Sequence, residues 1–131
     1  MTQDIRVNQI NSNRVVLSID AMGGDLGAPA VIAGIARSAA KNPNLHFILH
    51  GPEDELQQLI NRRRRLKSCV KIVNTTDVIN MSDKPSQVVR SGKNSSMWSA
   101  LEYVKNGDAD VCVSCGNTGA LMAISMIRIR K

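Results

Sequence analysis

The sequence predicts an α/β fold in which a mostly parallel sheet is covered by helices on both faces. Short β-branched apolar runs alternate with segments of helical periodicity, the pattern of repeated strand-helix-strand units. Hydrophobic residues make up 43% of the chain while aromatics make up only 2%. The core is therefore aliphatic, which suits packed α/β layers. Two of the most glycine-rich segments directly follow strands, where open parallel sheets bind ligands. At 131 residues the chain has room for one domain or part of one.

The run from Arg14 to Asp20 reads as a buried strand that ends in a carboxylate and then Gly23-Gly24. Pro29 marks a first helical turn, and Val31, Ile32, Ile35 and Ala39 recur at helical spacing until Asn42-Pro43 stops the helix. Leu45 to Leu49 is the second strand, and Gly51-Pro52-Glu53-Asp54 turns into a helix carrying Leu56, Leu59 and Ile60. Val70 to Val73 is the third strand. Asn74 to Asn94 is less regular and is broken at Asp83-Lys84-Pro85; then Ser95 or Ser96 caps a helix with Met97, Leu101 and Val104 that ends at Asn106-Gly107. Ala109 to Ser114 is the fourth strand, and Gly116-Asn117-Thr118-Gly119 joins it to a last apolar helix beginning near Thr118 or Gly119.

The net charge of +6 is concentrated in Arg62-Arg63-Arg64-Arg65-Leu66-Lys67 and in the tail Arg128, Arg130, Lys131. Such a run reads as a solvated loop or helix end, or as attraction to a phosphate, an acidic partner or an anionic bilayer. Scarce aromatics argue against base stacking, so nucleic acid is not expected as a partner. Residues 1–13 form a polar N-terminal extension without the apolar core of a secretory signal, and no later run is long enough to span a bilayer. These features predict a cytoplasmic chain. Three cysteines, Cys69, Cys112 and Cys115, are then expected as reduced thiols. Cys112 and Cys115 lie three apart on a strand and point to opposite faces, so no zinc site is expected, and His46 and His50 read as ordinary packing.

Two glycine-rich loops, Asp20-Ala-Met-Gly-Gly-Asp25 and Ser114-Cys-Gly-Asn-Thr-Gly-Ala120, stand at carboxyl ends of strands. Glycine lets backbone approach an anion, and the following helix start offers free N–H groups and the positive end of its dipole. Tight turning alone also explains such glycines. Neither loop has the G-x-G-x-x-G fingerprint or the nucleotide P-loop pattern, so no nucleotide cofactor is indicated.

Ile19-Asp20-Ala-Met-Gly-Gly-Asp25, Asp83-Lys84-Pro85, Lys93-Asn-Ser-Ser-Met97 and Gly116-Asn-Thr-Gly-Ala120 follow one another in the order and approximate spacing seen in the phosphate acyltransferases of the PlsX type, and the chain resembles that family from about Arg14 to Met122. The resemblance implies a Rossmann-like three-layer α/β/α fold related to isocitrate dehydrogenases and phosphotransacetylases. It implies transfer of a fatty acyl group from acyl carrier protein to inorganic phosphate, without a cofactor or metal, feeding phospholipid synthesis. Phosphate or oxyanion contacts are expected at the Gly116, Thr118 and Gly119 amides with Asn117, and at Gly23 and Gly24, with cationic support from Lys84, Arg90 and Lys93. Asp20 and Asp25 orient a cation, act as general base, or cap loop amides. Ser95 and Ser96 bind phosphate or cap a helix. Cys115 is not assigned as a nucleophile, because the related enzymes commonly carry a small non-nucleophilic residue there.

Family members are longer, so residues 14–131 are expected to be the N-terminal part of a single acyltransferase domain, lacking the second half of the cleft and the dimer-forming helices. The ending Met126 to Lys131 is expected to depart from the family pattern. The resemblance also implies a homodimer for the full-length protein and peripheral contact with a membrane or a membrane-bound acyltransferase. Two other readings stay open: acyl transfer with coenzyme A in the manner of phosphotransacetylases, and a non-catalytic fragment that binds an acidic partner through Arg62 to Lys67.

Overall fold

A computed structural model describes residues 14–129; the polar segment 1–13, with Arg130 and Lys131, lies outside the described residues. Four strands, β1 (Val15–Asp20), β2 (Leu45–Gly51), β3 (Val70–Asn74) and β4 (Val111–Val113), form one all-parallel sheet in the order β3-β2-β1-β4. The last strand is shorter than the expected 109–114. The Asp110 N–H donates to the Val16 carbonyl at 2.8 Å, but the Asp110 carboxylate accepts from the Val16 N–H at 2.8 Å. A side chain thus replaces a backbone acceptor there, and the regular ladder begins one residue later.

Helix α1 (Gly27–Lys41) buries Ala28, Ile32 and Ile35, and its chain exits through Asn42, whose N–H bonds the Ser38 carbonyl at 2.9 Å just before Pro43. Helix α2 (Glu53–Asn61) starts with Glu53, Asp54 and Glu55, which complement the positive end of the helix dipole, and buries Leu56 and Ile60. A 3₁₀ turn (Arg64–Ser68) follows, anchored by buried Leu66.

Helix α3 (Pro85–Ser91) occupies part of the segment expected to be irregular. Seven residues are too few to display an amphipathic period, although Pro85 at its first position is a start signal. Helix α4 (Ser96–Lys105) is capped by Ser95, whose Oγ accepts from the Trp98 N–H at 3.1 Å. Helix α5 (Thr118–Arg128) is capped by Asn117. The Glu102 carboxylate takes two bonds from the Arg128 guanidinium and ties α4 to α5.

Strand alternation sorts the side chains between two layers. Ile19, Phe47 and Leu49 meet Ile32, Ile35 and Leu56 under α1 and α2. On the other face Met97, Trp98 and Leu101 of α4 pack with Val88 of α3 and Ala120 and Ile124 of α5. Each large aliphatic side chain removed from water in these layers contributes about 1.5–3 kcal/mol. The result is the expected α/β three-layer arrangement, consistent with a Rossmann-like fold.

Candidate functional site

Because all four strands run the same way, the loops after β1 and β4 emerge side by side at one end of the sheet. Asp20, the last residue of β1, is only 3% exposed. Its Oδ1 accepts from the Ser96 hydroxyl at 2.5 Å and from the Met22 N–H at 3.2 Å, and its Oδ2 accepts from the Ser114 hydroxyl at 2.9 Å. Ser114 Oγ in turn accepts from the Gly116 N–H at 3.1 Å. One buried carboxylate therefore joins its own loop, the start of α4 and the loop after β4. Hydrogen bonds to a buried charged group are the strong ones, so this hub has the energy to fix all three segments.

The two loops touch through their glycines. A Cβ on Gly23 would stand 2.8 Å from Asp20 Oδ2, 2.9 Å from the Gly116 nitrogen and 3.0 Å from Ser114 Oγ, so only glycine fits. Gly24 has φ of 100° and lies against Cys115. Asp25 is exposed beyond it.

Asn117, expected as an oxyanion donor, is 7% exposed and fully engaged. Its Oδ1 accepts from the Ala120 N–H at 3.1 Å, which caps α5, and its Nδ2 donates to the carbonyls of Asn80, Met81 and Asp83 at 3.1, 3.3 and 2.8 Å. Thus Asn117 clasps the 80–83 loop onto the start of α5. Gly119 completes the contact, since a Cβ there would meet Pro85 Cγ at 2.9 Å. Lys84 sits between these two attachments and is exposed, as are Arg90, Lys93, Thr118 and Gly119. The Gly116 amide is taken by Ser114 and the Ala120 amide by Asn117, so Thr118 and Gly119 hold the open donors of this helix start among the described residues.

Ser95 and Ser96 separate in role. Ser95 caps α4 and donates to the Gly92 carbonyl at 2.6 Å, whereas Ser96 binds Asp20. Ser114 was not singled out from the sequence. The signal lay in strand register: Ile19 pairs with Val113, so the polar residues that end both apolar runs stand abreast.

His50 lies on the α4 side of the sheet, fully buried. Ser18 Oγ gives its single proton to the Ala100 carbonyl at 2.7 Å, so it must accept from His50 Nε2 at 2.8 Å. The ring is then the Nε2–H tautomer, and Nδ1 accepts from the Ser99 hydroxyl at 2.7 Å. Burial pushes the His50 pKa down to about 4. Burial also pushes the Cys112 thiol up to about 11, with the Asp20 charge adding to the effect. Cys112 packs under α4 and α5, while Cys115 is exposed beside Gly24. All three cysteines are unpaired, and among the described residues no three His, Cys, Asp or Glu side chains converge as a metal site would need.

The basic run is exposed except for Leu66. It connects the end of α2 to the start of β3, so it returns the chain to the amino ends of the strands, the end opposite the glycine loops. No helix among the described residues is long and apolar enough to cross a membrane.

A family model described as "Fatty acid synthesis protein" matches residues 15–131. A phosphate acyltransferase of Ruegeria sp. (strain TM1040) is 58% identical over 131 residues, covering 100% of this chain and 35% of the relative. Those of Ruegeria pomeroyi (60% identity, 92% of this chain, 32% of the relative) and Roseobacter denitrificans (56%, 100% and 37%) are similar. The chain therefore spans about a third of the length of these relatives. The likeness continues to Lys131, which corrects the expectation that it stops near Met122 and that the ending departs from the pattern.

Proposed function

The chain belongs to the phosphate acyltransferase family, the one whose model is described as a fatty acid synthesis protein, and from that premise we propose that it supplies the phosphate side of an active site transferring an acyl group from acyl carrier protein to inorganic phosphate. The observation that carries this reading is the Asp20 hub, which holds two glycine loops together beside a helix start with open amides.

In the proposed reaction a phosphate oxygen attacks the thioester carbonyl carbon. The new C–O bond forms as the carbonyl oxygen gains negative charge, the C–S bond then breaks, and the proton lost by phosphate ends on the leaving thiol. A helix start and cations drawn to the bound anion stabilise both the phosphate and the developing oxyanion. Thr118 and Gly119 supply amides, and Lys84, Arg90 and Lys93 supply positive charge. Asp20 and Asn117 are positioning residues in this scheme: the first fixes the loops, the second holds the strand-helix junction beside Lys84. Asp25, exposed at the rim, is the candidate to take the phosphate proton. Acyl carrier protein, an acidic membrane face and a second copy are the partners proposed for the full-length protein, with Arg62 to Lys67 as the charge that meets an anionic surface.

The test is a chimera in which residues 1–131 replace the matched segment of the Ruegeria sp. (strain TM1040) relative. Incubation with acyl carrier protein loaded with palmitate and with phosphate should yield acyl phosphate, trapped as its hydroxamate. Turnover only with acyl coenzyme A would overturn the carrier assignment in favour of phosphotransacetylase-like chemistry.

A further inference from the structure

Among the described residues β3 and β4 are the two edge strands of the sheet, and only β4 leaves large apolar side chains exposed. β4 pairs with β1, and its other edge is open among the described residues. Val111 and Val113 stand in register with Leu17 and Ile19, yet they are 46% and 41% exposed. Beside them a hollow of about 340 Å³ runs between Val113 and the Val31 and Ile35 side of α1. On the other face α5 packs on α3 and α4 and leaves Met122, Met126 and Ile127 more than half exposed. Parallel strands are normally covered on both faces, and an apolar open edge invites pairing.

We infer that the open edge of β4, with Val111 and Val113 on one face and Met122, Met126 and Ile127 on the other, is the seam on which the polypeptide making up the other two thirds of the relatives' length packs. That polypeptide would add a strand to β4 and a helix over the two valines. The relatives carry about twice as much further chain as the matched segment, enough for both elements. Two other occupants fit less well. A second copy paired through β4 brings its own bare valines and covers neither set. An acyl chain fills the hollow but leaves the backbone edge unpaired. The inference rests on family membership and not on the acyl-transfer reading, so either can fail alone.

The experiment co-expresses residues 1–131 with the segment that follows the match in the Ruegeria sp. (strain TM1040) relative. A one-to-one complex by light scattering is expected, with β4 amides newly protected from hydrogen exchange. Val113→Lys and Met126→Lys should each weaken it at least tenfold, while Gln58→Lys on exposed α2 should not. A homodimer that Val113→Lys dissociates, or a complex indifferent to both substitutions, would overturn the seam. A second measurement does not need the segment to fold alone: Val113→Lys should lower the thermal midpoint of the chimera by roughly 5 °C or more and that of the 131-residue chain by far less. Equal shifts in the two would count against the inference.

Discussion

The side-chain amide of Asn117 donates to the main-chain carbonyl of Asp83 at 2.8 Å, and two further carbonyls of the same loop share that nitrogen. Asn117 is therefore a structural clasp before it is anything else, and its variants separate capping from clasping. Asn117→Ser keeps a cap oxygen and loses the clasp; Asn117→Ala loses both. The cap alone is worth about 0.5–2 kcal/mol, and stranded carbonyls add to the cost. Urea unfolding should rank wild type above Asn117→Ser above Asn117→Ala. In the active chimera, direct oxyanion donation by Asn117 would instead appear as about 2–4 kcal/mol lost from kcat with little change in stability.

Asp20→Asn should destabilise the chain by about 1–3 kcal/mol, because it turns an amide NH2 donor toward one of the two hydroxyl donors that now meet a carboxylate oxygen. Ser114→Ala should cost less, since it removes one donor and leaves the bond to Ser96. If Asp20 holds the loops for phosphate, nuclear magnetic resonance titration with phosphate should shift the Thr118 and Gly119 amides in wild type and much less in Asp20→Asn. Equal shifts would remove the positioning role.

Most of the fold was readable because each long element carries its own period and punctuation: Pro29 opens one helix, Asn42-Pro43 closes it, and Ser95 caps another. Helix α3 was not, since seven residues hide their period. At the site, the glycine loops were legible as loops, but their partners were not. Asp20 meets Ser96 across 76 residues and Ser114 across 94, contacts that arise only when strand order puts β4 beside β1. Nothing local to Asn117 announces three carbonyls more than thirty residues away.

His50 gives the chain an acid-sensitive core. Its folded pKa of about 4 lies below the unfolded value of 6.5, so between those values the unfolded chain binds the extra proton. The stability contributed by neutral His50 is thus complete above about pH 6.5, declines as pH falls, and is lost by about pH 4, a contribution near 3 kcal/mol. Carboxylates add their own slope, so the comparison is with His50→Gln: its stability between pH 6.5 and 4.5 should change less than that of wild type. Parallel curves would show that His50 is not the group responsible.

Two glycines should respond to alanine with opposite signs. At Gly23 the added methyl would overlap the Asp20 carboxylate and the Gly116 amide, so Gly23→Ala should cost about 1–3 kcal/mol and loosen the junction of the loops. At Gly34, in the middle of α1, nothing lies within 4 Å of the new carbon. Gly34→Ala should therefore raise stability by about 0.5–1 kcal/mol through reduced freedom of the unfolded chain. A thermal melt of each variant checks both signs.

The cysteines should react in a set order. Cys115 is exposed at the mouth of the glycine loops, Cys69 is half-buried with its thiol pushed up by burial, and Cys112 is held near a pKa of 11 under α4 and α5. Only the thiolate attacks an alkylating agent, and at pH 8 a thiol of pKa 11 is ionised in roughly one molecule per thousand. Cys112 is thus protected twice, by access and by charge state. Timed iodoacetamide labelling with peptide mapping should modify Cys115 first, Cys69 more slowly, and Cys112 only after denaturant is added. Cys112 lies on the strand with the open edge, so its labelling also reports whether β4 stays in the sheet. If Cys112 is modified as fast as Cys115 in native buffer, β4 must detach readily, and the pairing that brings Ser114 to Asp20 cannot persist in the isolated chain.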